Sequence, residues 1–174
     1  TSQWTVTGSG AAVLGTSGDK GPYITHVTTG KILDPGITDA NNMGPAMAPS
    51  AIDTIIQHFK DTGFRPKDYD LIITGDLAKL GMEITKEFIE KEGYDLSDIY
   101  TDCGVKIFDN EKQETGLGGS GCGCAASVFS GYVFKELKQN NLNKVLLVAT
   151  GALHSPIGIH QGETIPGIAH AVTI

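Results

Sequence analysis

The chain has 174 residues, 40% of them hydrophobic and 19% charged, with 13 Lys and Arg against 20 Asp and Glu for a formal net charge of −7. That length and balance fit one soluble domain with a real core and exclude a disordered polymer. Scattered bases under a negative net charge exclude general nucleic-acid binding, which needs clustered cations against phosphate.

Residues Thr1 to Gly18 carry no charge, but their Thr, Ser and Gly content and lack of a basic start separate them from a targeting or membrane segment. They read as buried strand. Trp4–Leu14 and Tyr23–Thr28 are expected to pair antiparallel as a hairpin across a Gly15–Gly21 turn. After a Pro/Gly/Asn-rich loop from Asp34 to Pro45, the apolar set Ala48, Ile52, Ile55, Ile56 and Phe59 recurs at helical spacing. Leu71–Thr74 reads as a short buried strand. Leu77, Leu80, Ile84 and Phe88 trace a second amphipathic helix, with Lys86, Glu87, Glu90 and Lys91 on its polar face. Ser97 to Asp109 is mixed, with a short strand expected at Val105–Phe108, and Asn110 to Glu114 is a polar loop.

Thr115 to Ser127 is a run of glycines and very small side chains that leads without a break into an apolar helix, expected to end at Asn140-Asn141. Such residues let backbone press against a ligand, a sheet or a second helix, and a helix start presents free N–H groups to anions. Val128, Phe129, Tyr132, Val133 and Leu137 leave this helix little polar face, so it is expected to be buried all round. Lys144–Thr150 is the clearest buried strand, and Gly167–Ile174 supplies a last one after a Gly162–Pro166 turn. The predicted order is β-β-α-β-α-(β)-α-β-β, with no internal repeat, linker or domain boundary.

Gly116-Leu-Gly-Gly-Ser-Gly121 satisfies G-x-G-x-x-G, yet a polar stretch rather than a buried strand precedes it, which argues for close helix packing over nucleotide binding. Cys103, Cys122 and Cys124 form no C-x-x-C, so neither a disulfide framework nor a zinc site is expected, and a reducing compartment fits. Cys122 and Cys124, two apart, point to different faces of a helix. The five histidines show no ligand spacing, and most are expected at the surface or at strand edges. His154 follows the strand that ends near Thr150, where open α/β sheets place their sites; a structural loop histidine is the alternative.

Thr5-Val-Thr-Gly-Ser-Gly-Ala-Ala-Val-Leu14, Gly44-Pro-Ala-Met-Ala-Pro49, the glycine-cysteine helix and Gly162-Glu-Thr-Ile-Pro-Gly167 together resemble the stage V sporulation protein AD family of spore-forming bacteria, over the whole chain. That family is similar to the thiolase and ketoacyl synthase superfamily. The resemblance implies the fold class: α/β, one β-α-β-α-β-α-β-β half of a five-layered αβαβα sandwich, with its third helix between the sheets. Residues 1–174 would be the C-terminal thiolase-like domain, the N-terminal half being absent, as the lack of an initiating Met also suggests.

In superfamily enzymes the first half supplies the nucleophilic cysteine. The second supplies a histidine on the loop after its third strand and a histidine or asparagine at the glycine-rich helix. Here Gly75 stands at the first of these positions and Leu117 or Cys122 at the second, which implies a binding protein with no catalytic residues in this half. An acyltransferase or ketoacyl synthase-like enzyme is the alternative. The resemblance further implies binding of dipicolinic acid (pyridine-2,6-dicarboxylate), free or as its calcium chelate, for uptake into the developing spore. No resident cofactor or metal is expected. The implied partners are the N-terminal half, a second copy in a homodimer, and membrane proteins of the same sporulation operon. Their setting would be the cytoplasmic side of the inner spore membrane, with peripheral attachment. A flat dianion suits N–H donors at a helix start beside an apolar slot. The candidate ligand-binding residues are therefore Gly118, Gly119, Ser120, Gly121 and Cys122 at the helix start, with Gly75, Asp76, Thr150 and His154 at the mouth.

Overall fold

The computed structural model describes residues 2–16, 18, 21–109 and 111–174. Thr1, Ser17, Asp19, Lys20 and Asn110 lie outside the described residues, and with them part of the predicted Gly15–Gly21 turn and of the Asn110–Glu114 loop.

The elements run β1 (Trp4–Thr5), β2 (His26–Thr29), α1 (Gly44–Thr62), β3 (Leu71–Thr74), α2 (Ala78–Lys91), β4 (Tyr100–Asp102), α3 (Cys103–Lys106) and β5 (Gly119–Ser120). They continue with α4 (Cys124–Val128), a π-helical turn (Phe129–Val133), α5 (Phe134–Lys138), β6 (Val145–Ala152), α6 (Pro156–His160) and β7 (Gly167–Thr173). One five-stranded mixed sheet has the order β2-β7-β6-β3-β4, in which β7 runs antiparallel to both of its neighbours. β6, β3 and β4 are mutually parallel, so their C-terminal ends share one edge of the domain.

Period-two alternation divides the core. Ile72, Leu146, Val148, Ala169 and Ala171 face α1 and α2 and close on Met47, Ala51, Ile55, Phe59, Leu77 and Ile89. Ile73 and Val145 face the opposite way, onto Cys103, Cys124, Val128, Val133 and Leu137. Pro49 lies inside α1, one turn past its start, and leaves the Pro45 carbonyl without the usual intrahelical donor, while Gly63, with φ 74°, ends the helix in the left-handed region.

Four expectations are corrected. The predicted hairpin does not form: Trp4–Thr5 pairs parallel with Gly119–Ser120, whereas His26–Thr29 pairs antiparallel with β7. Residues 2–16 are an arm rather than a buried strand, with Trp4, Val13 and Leu14 exposed. It crosses the glycine-rich start where both partners are small, since a Cβ on Gly10 or Gly123 would run into Ala126 or Gly8 backbone. Cys103–Lys106 is helical, not part of a strand at Val105–Phe108, because the Asp102 side chain accepts the Gly104 N–H and caps a helix start there. The apolar helix is continuous from Cys124 to Lys138 but covered on one face only, leaving Tyr132 and Phe134 exposed.

His58 departs from the surface expectation. It is fully buried in α1, with Nδ1 2.8 Å from Thr28 Oγ1 and Nε2 2.7 Å from Tyr69 Oη and 3.1 Å from Thr173 Oγ1. With the arm excluded, the sheet strands and major helices follow β-α-β-α-β-α-β-β, and the strand before Gly75 is the second of the sheet in chain order.

Candidate functional site

Four stretches of chain meet at the C-terminal ends of β3 and β6. β3 delivers Gly75 and Asp76, β6 delivers Thr150, the glycine-rich turn brings Ser120 to Cys122, and the arm lays Ser2 to Thr5 alongside. Between them opens a cavity of about 500 Å³ lined by Asp76, Ser120, Gly121, Cys122, Thr150 and His154 of the predicted set. Gln3, Thr5, Asn41, Met43, Met47 and Ala125 complete much of the wall. A larger cavity of about 640 Å³ lies at the other end of the sheet beside Lys144 and Ile174 and contains no predicted site residue.

Asp76 organises the chemistry. Its Oδ2 accepts the Ser120 hydroxyl and the Gly121 N–H, each at 2.9 Å, and its Oδ1 accepts the Thr150 hydroxyl at 2.7 Å. Thr150 Oγ1 in turn accepts the Asp76 N–H at 3.0 Å, so strand, turn and glycine-rich start are joined by one carboxylate. This alters the expected role of the helix start. Gly121 was expected to offer its N–H to a ligand anion, but the Asp76 carboxylate already takes it.

The predicted glycines divide by position. Gly121 has φ 107°, a region closed to most side chains, and borders the cavity. Gly75, Gly118 and Gly119 do not line it. They serve close packing: a Cβ on Gly75 would lie 2.8 Å from the Thr150 nitrogen, one on Gly118 3.2 Å from the Gly104 carbonyl carbon, and one on Gly119 2.6 Å from Ile107 Cγ2. Cys122 is exposed at the cavity, whereas Cys124 is buried beneath the sheet-facing side of α4. Burial pushes the Cys124 thiol up to about 12 and also raises that of Cys103. His154 is exposed on the rim, its N–H donating to the Ala152 carbonyl at 3.0 Å.

Among the described residues the only acidic or basic side chains lining this cavity are Asp76 and His154, and no group of three or more potential metal ligands forms anywhere. The sequence reading missed the contribution of the arm and of the loop before α1. Gln3 joins the two, since its Nε2 donates to Leu77 O at 3.0 Å and its Oε1 accepts the Met43 N–H at 3.2 Å. No local periodicity marks such residues.

Comparison with known proteins bears on the whole chain. The model of the family described as "Stage V sporulation protein AD (SpoVAD)" matches residues 1–174. A relative from Bacillus subtilis (strain 168), "Stage V sporulation protein AD", is 52% identical over 169 residues, covering 97% of this chain and 49% of the relative. The chain therefore spans about half the length of the curated relative that it matches.

Proposed function

The chain belongs to the stage V sporulation protein AD family, and from that premise we propose that the Asp76 cavity is this chain's share of a dipicolinate site serving uptake into the developing spore. The observation that carries the reading is the convergence of Asp76, Thr150, Ser120 and Gly121 on one cavity at the C-terminal ends of parallel strands, the usual place for a site in an open α/β sheet. The cavity combines polar groups with the apolar side chains Met43, Met47 and Ala125, which suits a heteroaromatic ring with charged substituents.

Charge refines the ligand. A free dicarboxylate would meet the Asp76 carboxylate, whose strongest nearby donors are already committed to it. The calcium chelate, with its charge neutralised, avoids that repulsion and is the form this wall favours. The thiolase-like architecture is part of the same proposal, supported by the β-α-β-α-β-α-β-β order of the sheet and major helices. So is the absence of chemistry, although Gly75 follows the second strand of the sheet and not the third, after which the superfamily enzymes carry their histidine. A second half, a second copy of the chain and membrane proteins of the same operon are proposed as partners at the cytoplasmic side of the inner spore membrane. No helix among the described residues is long and apolar enough to cross a membrane.

The test is calorimetric titration of the full-length protein with dipicolinate, with and without calcium. Saturable binding is expected, tighter with calcium, and weakened by Thr150→Val. An absence of binding in both conditions refutes the reading. One observation favours the alternative of an acyltransferase: the exposed Cys122 thiol shares the cavity with His154. Formation of a thioester on Cys122 from an acyl-CoA donor would decide for it.

A further inference from the structure

We infer that Asp102, a residue outside the cavity, is the positioning residue that sets where the Asp76 carboxylate stands. The inference rests on the reading of the Asp76 cavity as a ligand site, but its first test needs no ligand.

Asp102 ends β4, next to β3 in the sheet, and is fully buried. Its Oδ2 accepts the Thr74 hydroxyl at 2.6 Å and the Leu77 N–H at 3.0 Å; its Oδ1 accepts the Ala78 and Gly104 N–H groups, each at 2.8 Å. Thr74 lies just before Gly75-Asp76 and Leu77-Ala78 just after, so the carboxylate grips the turn that carries Asp76 from both sides. Ala78 sits at φ 53°, a conformation that an alanine rarely adopts without something holding it. The converging Leu77 and Ala78 N–H groups show what holds it.

The groups around Asp102 explain why the grip is stiff. Tyr100 Oη lies 3.1 Å from Thr74 Oγ1, and the Tyr100 hydroxyl and the Cys103 and Cys124 thiols are the titratable groups that face the Asp102 carboxylate. Among the described residues no Lys, Arg or His forms an ion pair with it, so donated hydrogen bonds alone hold the charge. Burial pushes its carboxyl up to about 7 even against those four donors. A buried acceptor held this way penalises any movement of its donors, because each lost bond leaves charge unsatisfied. Asp102 fixes the turn, and the turn presents Asp76 to Ser120, Gly121 and Thr150.

Amide exchange on the full chain provides the first test. In Asp102→Asn, which keeps the side-chain volume, the Gly121 amide should exchange about tenfold faster as its bond to Asp76 weakens. The Val145 and Ile174 amides, which bond to each other's carbonyls at 2.8 and 2.9 Å at the far end of the sheet, should stay unchanged. Thr74→Val, which removes one donor without touching the turn's N–H groups, should act in the same direction and carries the test if Asp102→Asn does not fold. Unchanged Gly121 exchange, or an equal loss of protection at Val145 and Ile174, overturns the inference.

The second test is a double-mutant cycle on the affinity for dipicolinate in the presence of calcium, in the full-length protein. Asp102→Asn should weaken binding about tenfold when Asp76 is present and have almost no effect in the Asp76→Asn background. Additive effects overturn the inference. If the wild type binds no dipicolinate, the proposed function fails while the exchange measurement still decides the role of Asp102.

Discussion

Replacing Gly81 by alanine should destabilise the domain although alanine is the better helix former. α1 and α2 meet backbone to backbone at Gly44 and Gly81. A Cβ on Gly81 would stand 2.8 Å from Gly44 Cα and 2.9 Å from both its carbonyl carbon and oxygen, where ordinary contact is 3.4–4 Å. The helices must part by roughly half an ångström or more, which forfeits about a quarter to a half of the dispersion attraction of the atoms at the crossing. Overpacking of this kind costs about 1–3 kcal/mol, whereas Gly to Ala in a helix gains about 1 kcal/mol, so a net loss of up to about 2 kcal/mol is expected. Gly131 provides the control: it lies in the helix after α4 with nothing within 4 Å of its missing Cβ. Gly131→Ala should gain up to about 1 kcal/mol. Urea unfolding of both variants beside the wild type, with slopes compared as well as midpoints, measures the two signs. A Gly81→Ala variant that gains as much stability as Gly131→Ala would refute the close-crossing argument.

Burial lowers His58 from 6.5 to about 4. The unfolded chain therefore takes up a proton that the folded one refuses, and stability should fall by about 3 kcal/mol between pH 6.5 and 4 through this residue alone. The pH dependence of unfolding in His58→Gln, subtracted from that of the wild type, isolates it; parallel curves would show that His58 is not held neutral. Asp102 acts with the opposite sign, since a carboxyl raised to about 7 loses stability as pH rises from its ordinary value of 3.8 towards 7. Subtracting the Asp102→Asn curve should show that loss. Of the three thiols only exposed Cys122 should react with a disulfide reagent in the native state, while Cys103 and Cys124 wait for unfolding. A second thiol reacting at a comparable rate would contradict their burial.

Much of the core was legible because burial imposes a period. α1, β3 and β6 carry their apolar residues at the spacing of the face that they cover, and those positions fill the core. On α2 the face traced by Leu77, Leu80, Ile84 and Phe88 is corrected by one residue: Ala78, Gly81, Thr85 and Ile89 are the buried positions, set by the close crossing at Gly81, and Phe88 is exposed. The arm was misread because strand-like composition does not say with which strand a segment pairs; Trp4 and Thr5 find Gly119 and Ser120 rather than the neighbouring Tyr23–Thr28. The short helix at Cys103 was missed because a single cap, Asp102, decides it over an apolar tetrapeptide that reads equally well as strand. At the site, Asp76, Thr150 and the residues from Ser120 to Cys122 were found from their places at strand and helix ends. Gly121 belongs to a run that reads as closely packed backbone, yet its Cβ would be no closer than 3.5 Å to any neighbour, and its positive φ is what requires glycine. Gln3 and Asn41 could not be found, because what places them beside the cavity is the return of distant chain segments.

The parallel pairing of β1 with β5 also has a bearing on how the molecule assembles. Trp4 and Gly119 are separated by most of the chain, so closing that loop is entropically costly and brings only a two-residue ribbon in return. The chain beyond the arm supplies all the fully buried residues of both cores, the arm adding only the partly buried Val6. The arm's share of the cavity wall should therefore form last on folding and open first under stress. Protease cutting within the exposed Ala11 to Gly15 stretch should detach the wall while leaving the sheet standing, so that loss of ligand capacity would precede loss of fold.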